Sequence, residues 1–172
     1  NRVLFSFHKM NHLIGYSQSE KNINNSAKAS MSFNSQDEEL VTRIGLPKKF
    51  IAIVLGGEWD YRIYKHWDKV IKKILLNNNQ VNIALIGSKN GLSYVEKILP
   101  SFPKNNIINC VAKYSFNQTA LIVAKAEILL CCDGGLMHAA NSVGTIIVPL
   151  FARLEPKMQL TSANVAFPLF DE

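Results

Sequence analysis

Short apolar runs alternating with helical stripes dominate the chain from Phe50 onward. Residues 50–55 (Phe-Ile-Ala-Ile-Val-Leu) are continuously apolar, the pattern of a strand covered on both faces. Trp67, Val70, Ile71, Ile74 and Leu75 then fall at helical spacing and mark one apolar helix face, ended by Asn77-Asn78-Asn79. Val81–Ile86 reads as the next strand, Leu92–Leu99 as a helix stopping before Pro103, and Ile107–Cys110 as a short strand. Ser115 and Gln118 have the spacing of a capping box and open a helix over Phe116–Lys125. The last unit runs from Ile128 to Phe151: buried strand, Asp133-Gly134-Gly135 turn, short helix, Gly144, second buried strand. Strands separated by helices predict an α/β fold, a Rossmann-like doubly wound parallel sheet with right-handed crossovers.

Upstream of this alternation the signal thins. The runs Val3-Leu4-Phe5 and Leu13-Ile14-Gly15-Tyr16 are too short to build a domain, and residues 18–36 are rich in Asn, Ser and Lys, as in a linker. A helix starting at Ser35 or Gln36 and running to Ile44 is expected, stopped by Gly45 and Pro47. The expected division is therefore residues 1–45 as a remnant of a preceding domain plus linker, and 46–172 as the Rossmann-like domain.

Composition narrows the function classes. At 172 residues the chain is long enough for one well-cored α/β domain, or for one domain plus a fragment of another. Its 48% hydrophobic and 19% charged content is that of a folded water-soluble protein, and no apolar run approaches the ~18 residues of a membrane helix. The net charge of +6 comes from scattered lysines such as Lys48, Lys49, Lys72, Lys73 and Lys104, without a nucleic-acid-binding stripe. Cys110, Cys131 and Cys132 lack metal-ligand spacing, and neighbours on one strand face opposite sides. Small buried thiols in a reducing cytoplasm are the expectation, with no metal site.

Ligands of such sheets bind where the strands end. The predicted strand ends are followed by Gly56-Gly57-Glu58-Trp59-Asp60-Tyr61-Arg62 and Lys65-His66-Trp67, by Gly87-Ser88-Lys89-Asn90-Gly91, by Ala112-Lys113-Tyr114-Ser115, and by Asp133-Gly134-Gly135 with His138 one helical turn on. Backbone amides at a helix start, an arginine, lysines, a carboxylate and a histidine around one crevice suit a nucleotide diphosphate. The dinucleotide pattern GxGxxG is absent, which disfavours NAD. Simpler readings stay open: Asp133 as a helix cap, His138 as an ordinary helix residue, Lys65 as a solvated side chain.

The order Gly56-Gly57, Lys65-His66-Trp67, Gly87, Asp133-Gly134-Gly135-Leu136-Met137-His138-Ala139-Ala140, Gly144-Thr145 and Pro149-Leu150-Phe151 resembles glycosyltransferase family 9, the family of the ADP-heptose:lipopolysaccharide heptosyltransferases. The resemblance covers roughly residues 50–160. It implies the C-terminal half of a GT-B enzyme, whose donor is a nucleotide-sugar such as ADP-heptose and whose acceptor is a lipid-linked glycan. It also implies inverting, metal-independent transfer without a cofactor, a cytoplasmic location, and room for peripheral contact with the inner membrane. Donor-binding residues implied are Gly56, Gly57, Lys65, Gly87, Ser88, Asp133, Gly134, Gly135 and His138, with Lys65 on the diphosphate; the general base is expected in the missing N-terminal domain.

The chain departs from the family pattern in several places. Gly134 stands where a hydroxyl residue is usual, Ile146 where proline is common and Ala152 where glycine follows. Arg153-Leu154-Glu155-Pro156 only loosely matches the family's acidic-Pro ending, and residues 87–91 carry no carboxylate for a ribose. Two other readings remain: a nucleotide-binding module without catalysis, and a UDP-sugar epimerase. The apolar Leu136–Ala140 stretch argues against the epimerase, which follows its turn with a Glu-rich helix.

Overall fold

The computed structural model describes residues 9–15, 29–151, 160 and 169–170. The run Val3–Phe5, most of the polar stretch (residues 18–28) and Ala152–Pro156 lie outside these described residues. The predicted alternation is realised as β1 (Ile51–Val54), α2 (Trp67–Asn77), β2 (Ile83–Ile86), α3 (Leu92–Ile98), β3 (Ile107–Asn109), α4 (Phe116–Lys125), β4 (Ile128–Cys132), α5 (Gly135–Val143) and β5 (Ile146–Phe151). Before them comes α1 (Ser35–Arg43), and after them a short β6 (Leu169–Phe170).

All pairings are parallel, in the order β3-β2-β1-β4-β5-β6. Strand order reverses between β1 and β4, so loops leaving these two neighbours diverge to opposite faces and open a crevice. The strands alternate as a sheet covered on both sides requires. Phe50, Ala52, Ala84, Ile86, Leu129 and Cys131 face the core under α1, α4 and α5. Ile53, Leu55, Ile83 and Leu85 face the core under α2 and α3, where the predicted stripe of Trp67, Val70, Ile71, Ile74 and Leu75 packs. Cys131 and Cys132 thus contribute to opposite layers.

Element ends differ slightly from expectation. The second strand begins at Ile83 instead of Val81, and α3 gives way to a 3-10 turn at Leu99–Ser101, with Pro100 inside it. Helix α1 starts one residue beyond Asn34, whose side chain accepts from the Asp37 N–H at 2.7 Å, and ends at Gly45 with φ +69°. The capping box forms as read: Ser115 Oγ accepts from Gln118 N at 3.2 Å, and Gln118 Oε1 accepts from Ser115 N at 3.0 Å.

Helix α1 packs on the Rossmann-like unit. Val41 is 1% exposed in the same core as the sheet, with Phe33, Ile44 and Leu46 around it. Gln118 Nε2 donates to Asp37 Oδ1 at 2.9 Å, so the residue that caps α4 also clamps α1.

Candidate functional site

The carboxyl ends of β1, β2 and β4 open into a cavity of about 560 Å³. Its floor is Val54, Leu55, Cys131 and Cys132; its walls are the loops after β1 and β2, the start of α4 with Tyr114, Phe116 and Thr119, and the first turn of α5. This is the volume of a drug- or nucleotide-sized pocket, at the switch point where α/β sheets bind ligands.

The two left-hand walls are built by glycine. Gly56 has φ +79°, and a Cβ there would sit 2.7 Å from Gly91 N, so the β1 and β2 loops approach backbone to backbone. Asn90 Nδ2 closes the same seam by donating to Gly57 O at 2.8 Å, and Ser88 Oγ donates to Asn90 Oδ1. Gly91 lies over the Leu55 carbonyl, where a Cβ would come within 2.7 Å. Gly56, Gly57, Gly87 and Ser88 all line the cavity.

Opposite them, β4 leads into an uncapped helix start. Asp133 N donates to Leu150 O at 3.2 Å, which fixes this residue as the last rung of the β4–β5 ladder. The chain then turns through Gly134 into α5. Met137 N and His138 N both donate to Gly134 O, at 3.1 and 3.4 Å, while no side chain caps the helix. The earlier N–H groups of the first turn are left without intrahelical partners and face the region of positive dipole. Gly134, Gly135, Leu136 and Met137 all line the cavity.

The Asp133 side chain is not a cap. Its Oδ2 lies 3.4 Å from Nη2 of Arg62, which reaches the cavity from a 3-10 turn at Asp60–Arg62. Arg62 N donates to Trp59 O at 2.8 Å, and the Arg62 carbonyl packs so tightly on Gly57 that a Cβ there would lie 2.8 Å away. The guanidinium also sits 5.5 Å from the centre of the Tyr61 ring. Its Nε is buried, with no hydrogen-bond partner among the described residues.

A model of glycosyltransferase family 9 (heptosyltransferase) matches residues 2–164. The chain belongs to this family. Among solved structures it is similar to a family 9 glycosyltransferase of Veillonella parvula (TM-score 0.73, 16% identity, 84% of this chain and 43% of that one). It is also similar to E. coli ADP-heptose LPS heptosyltransferase II (TM-score 0.65, 17% identity, 81% and 44%) and to E. coli heptosyltransferase WaaC with ADP (TM-score 0.61, 14% identity, 94% and 46%). The chain thus spans less than half the length of these structures. No curated protein matches it. The family 9 match and the Rossmann-like sheet agree on the fold expected from sequence.

Two of the residues expected at the family 9 donor site stand apart from the cavity wall. Lys65 is exposed on the turn leading into α2, and His138 is exposed on α5. Neither is among the lining residues. Conversely, Arg62, Asn90 and Tyr114, expected only as members of the strand-end loops, line the cavity, and so does Phe116 at the start of α4. Arg62 was visible only as one basic residue in the loop after β1, because nothing in the sequence marks the 3-10 turn that aims it inward.

Cys131 and Cys132 lie at the cavity floor with raised thiol pKa values. Burial raises the Cys131 thiol well above its ordinary range, and neighbouring Cys132 and Asp133 add to the rise. Burial likewise raises Cys132, against a hydrogen bond with the Tyr64 backbone that lowers it. At neutral pH both stay protonated, and a thiol is a poor nucleophile. Among the described residues no His, Cys, Asp and Glu cluster could hold a metal ion, and no helix is long and apolar enough to cross a membrane.

Proposed function

We propose that this chain is the donor-binding half of a heptosyltransferase-like enzyme that takes a sugar from a nucleotide-diphosphate sugar, with ADP-heptose as the donor. The observation that carries the reading is the uncapped N-terminus of α5 opening, through Gly134 and Gly135, into the cavity at the β1/β4 switch point. The diphosphate sits on the free amides of α5, with the nucleoside along the Gly87–Asn90 side. Asp133 accepts hydrogen bonds from the sugar, His138 stands one turn further along α5, and Lys65 approaches the phosphates from the α2 turn.

In the reaction an acceptor hydroxyl attacks the anomeric carbon as the bond to the phosphate oxygen breaks. The electron pair leaves with the nucleoside diphosphate, and the acceptor's proton passes to a carboxylate of the partner domain. The helix dipole and the cations take up charge on the departing diphosphate. The acceptor is a lipid-linked glycan of the lipopolysaccharide core type, met at the cytoplasmic face of the inner membrane.

Support for this reading is the family match together with the cavity. Calorimetric titration of the chain with ADP, UDP and GDP tests it. Preferential ADP binding is the expected result. Preference for UDP would move the donor to another class, and binding of none of the three would overturn the reading in favour of a module that has lost its ligand.

A further inference from the structure

The charged groups that line the cavity are Glu58, Asp133 and Arg62. Two carboxylates against one guanidinium make a wall that repels a diphosphate, unless the guanidinium is turned to the ligand. The dipole of α5 supplies only a fraction of a charge, roughly half a unit. Lys65 lies outside this wall. Arg62 is therefore the cation within the wall itself that can offset these carboxylates towards an anion.

The arginine is held but not used up. Its side chain is 28% exposed and that of Asp133 is 11% exposed, and they meet at 3.4 Å through a single pair of atoms. No hydrogen bond joins Arg62 to Asp133, and among the described residues Nε has no hydrogen-bond partner. A guanidinium has five N–H donors in a planar fork, so most of this one's capacity is unspent. Its backbone, by contrast, is pinned by the 3-10 turn and by the contact with Gly57.

We propose that Arg62 is a diphosphate-binding cation of the donor site, with phosphate oxygens competing with Asp133 for its guanidinium while the donor's sugar hydroxyls take over Asp133. This rests on the donor-site reading above and adds to it the residue that recognises the anion. The exchange matches partners in both directions. Asp133 trades one ion-pair contact for hydroxyl donors, and the fork trades a single oxygen for a bidentate phosphate contact. It also gives the site a preference for the intact nucleotide-sugar, since only that ligand satisfies both residues.

The test is calorimetric titration of the wild-type chain, Arg62→Gln, Arg62→Lys and Asp133→Asn with adenosine, ADP, inorganic pyrophosphate and ADP-heptose. Arg62→Gln is expected to weaken ADP by about tenfold or more, the value of a charge-assisted contact, while adenosine binding changes less than about twofold. Arg62→Lys, which keeps the charge but loses the fork, should fall between the two. Asp133→Asn removes the competitor and should tighten pyrophosphate and ADP several-fold while weakening ADP-heptose. This last variant is isosteric, and it keeps the proposal refutable if Arg62→Gln does not fold.

ADP affinity within about twofold of wild type in folded Arg62→Gln would overturn the proposal and leave the donor-site reading standing. So would Asp133→Asn weakening pyrophosphate. A wild-type chain that binds ADP no tighter than adenosine would overturn the donor-site reading itself, and the role of Arg62 with it.

Discussion

Gly134 and Gly56 look alike in the sequence, yet substitution should act on them with opposite sign. Gly134 is fully extended, at φ 175° and ψ 179°, and a Cβ there would meet nothing nearer than Cys132 O at 3.9 Å. Any L-residue adopts that backbone without strain. Gly134→Ser would reduce the freedom of the unfolded chain, worth about 0.4–1 kcal/mol where the native conformation is compatible. A serine at the N-cap of α5 adds a few tenths of a kcal/mol over glycine. The two together predict roughly 0.5–1.5 kcal/mol of stabilisation, or about 2–5 °C in Tm for a domain of this size. Gly56→Ala should do the reverse. Its φ of +79° costs an L-residue about 1–2 kcal/mol. The 2.7 Å approach to Gly91 N forces the two loops apart, adding overpacking cost of about 1–3 kcal/mol. Thermal unfolding followed by circular dichroism reads both. A lower Tm for Gly134→Ser would refute the reasoning, because it would mean that the turn into α5 needs a glycine. The serine hydroxyl also adds one donor beside the free amides, so ADP should bind up to about tenfold tighter.

Other consequences follow from named contacts. Gln118→Ala removes the bond from Gln118 Nε2 to Asp37 Oδ1 and leaves that carboxylate, on a residue 8% exposed, short of a partner; a loss of about 2–3 kcal/mol in urea unfolding is expected, and less than about 0.5 would make the clamp idle. Burial pushes the Cys110 thiol up to about 11, against the lowering effect of Lys113, from 9.0 for a free thiol. Between those values the folded chain holds a proton that the unfolded chain releases, so stability is full below pH 9 and falls as pH rises towards 11. Burial raises Cys131, Cys132 and Tyr114 too, so Cys110→Ala should shallow the alkaline fall without abolishing it; a denaturation midpoint constant across that window would contradict the assignment. Lys65→Ala should weaken ADP by a charge-assisted contact, roughly 1.5–3 kcal/mol if the side chain folds onto the phosphates, and unchanged affinity would remove Lys65 from the site.

What the sequence made legible was set by short-range periodicity. The strand at residues 50–55, the α2 stripe from Trp67 to Leu75 and the Ser115–Gln118 capping box each depend on residues a few positions apart, and each appears where expected. Clustering of the strand-end loops also followed, because parallel topology alone brings Gly56, Gly87 and Gly134 to one edge. Contacts between distant segments were not legible. Nothing in the sequence near Asp37 marks the contact with Gln118, 81 residues away, that the register of α4 creates. Arg62 and Lys65 are both cations on one loop, and only the 3-10 turn at Asp60–Arg62 decides that the first faces the cavity and the second the solvent. For the same reason the sequence left the helix-cap alternative for Asp133 open, while the side chain is in fact turned to Arg62.

The central claim, that a nucleotide diphosphate sits on the N-terminus of α5, is tested most directly by backbone amide shifts of the isotope-labelled chain during ADP titration. The account predicts the largest changes at Gly134, Gly135 and Leu136, with smaller ones at Gly56 and Gly57 across the cavity, and little change in the α5 amides with adenosine. Changes centred elsewhere would contradict it, for example on the separate groove of about 500 Å³ lined by Lys69, Lys72 and Phe102.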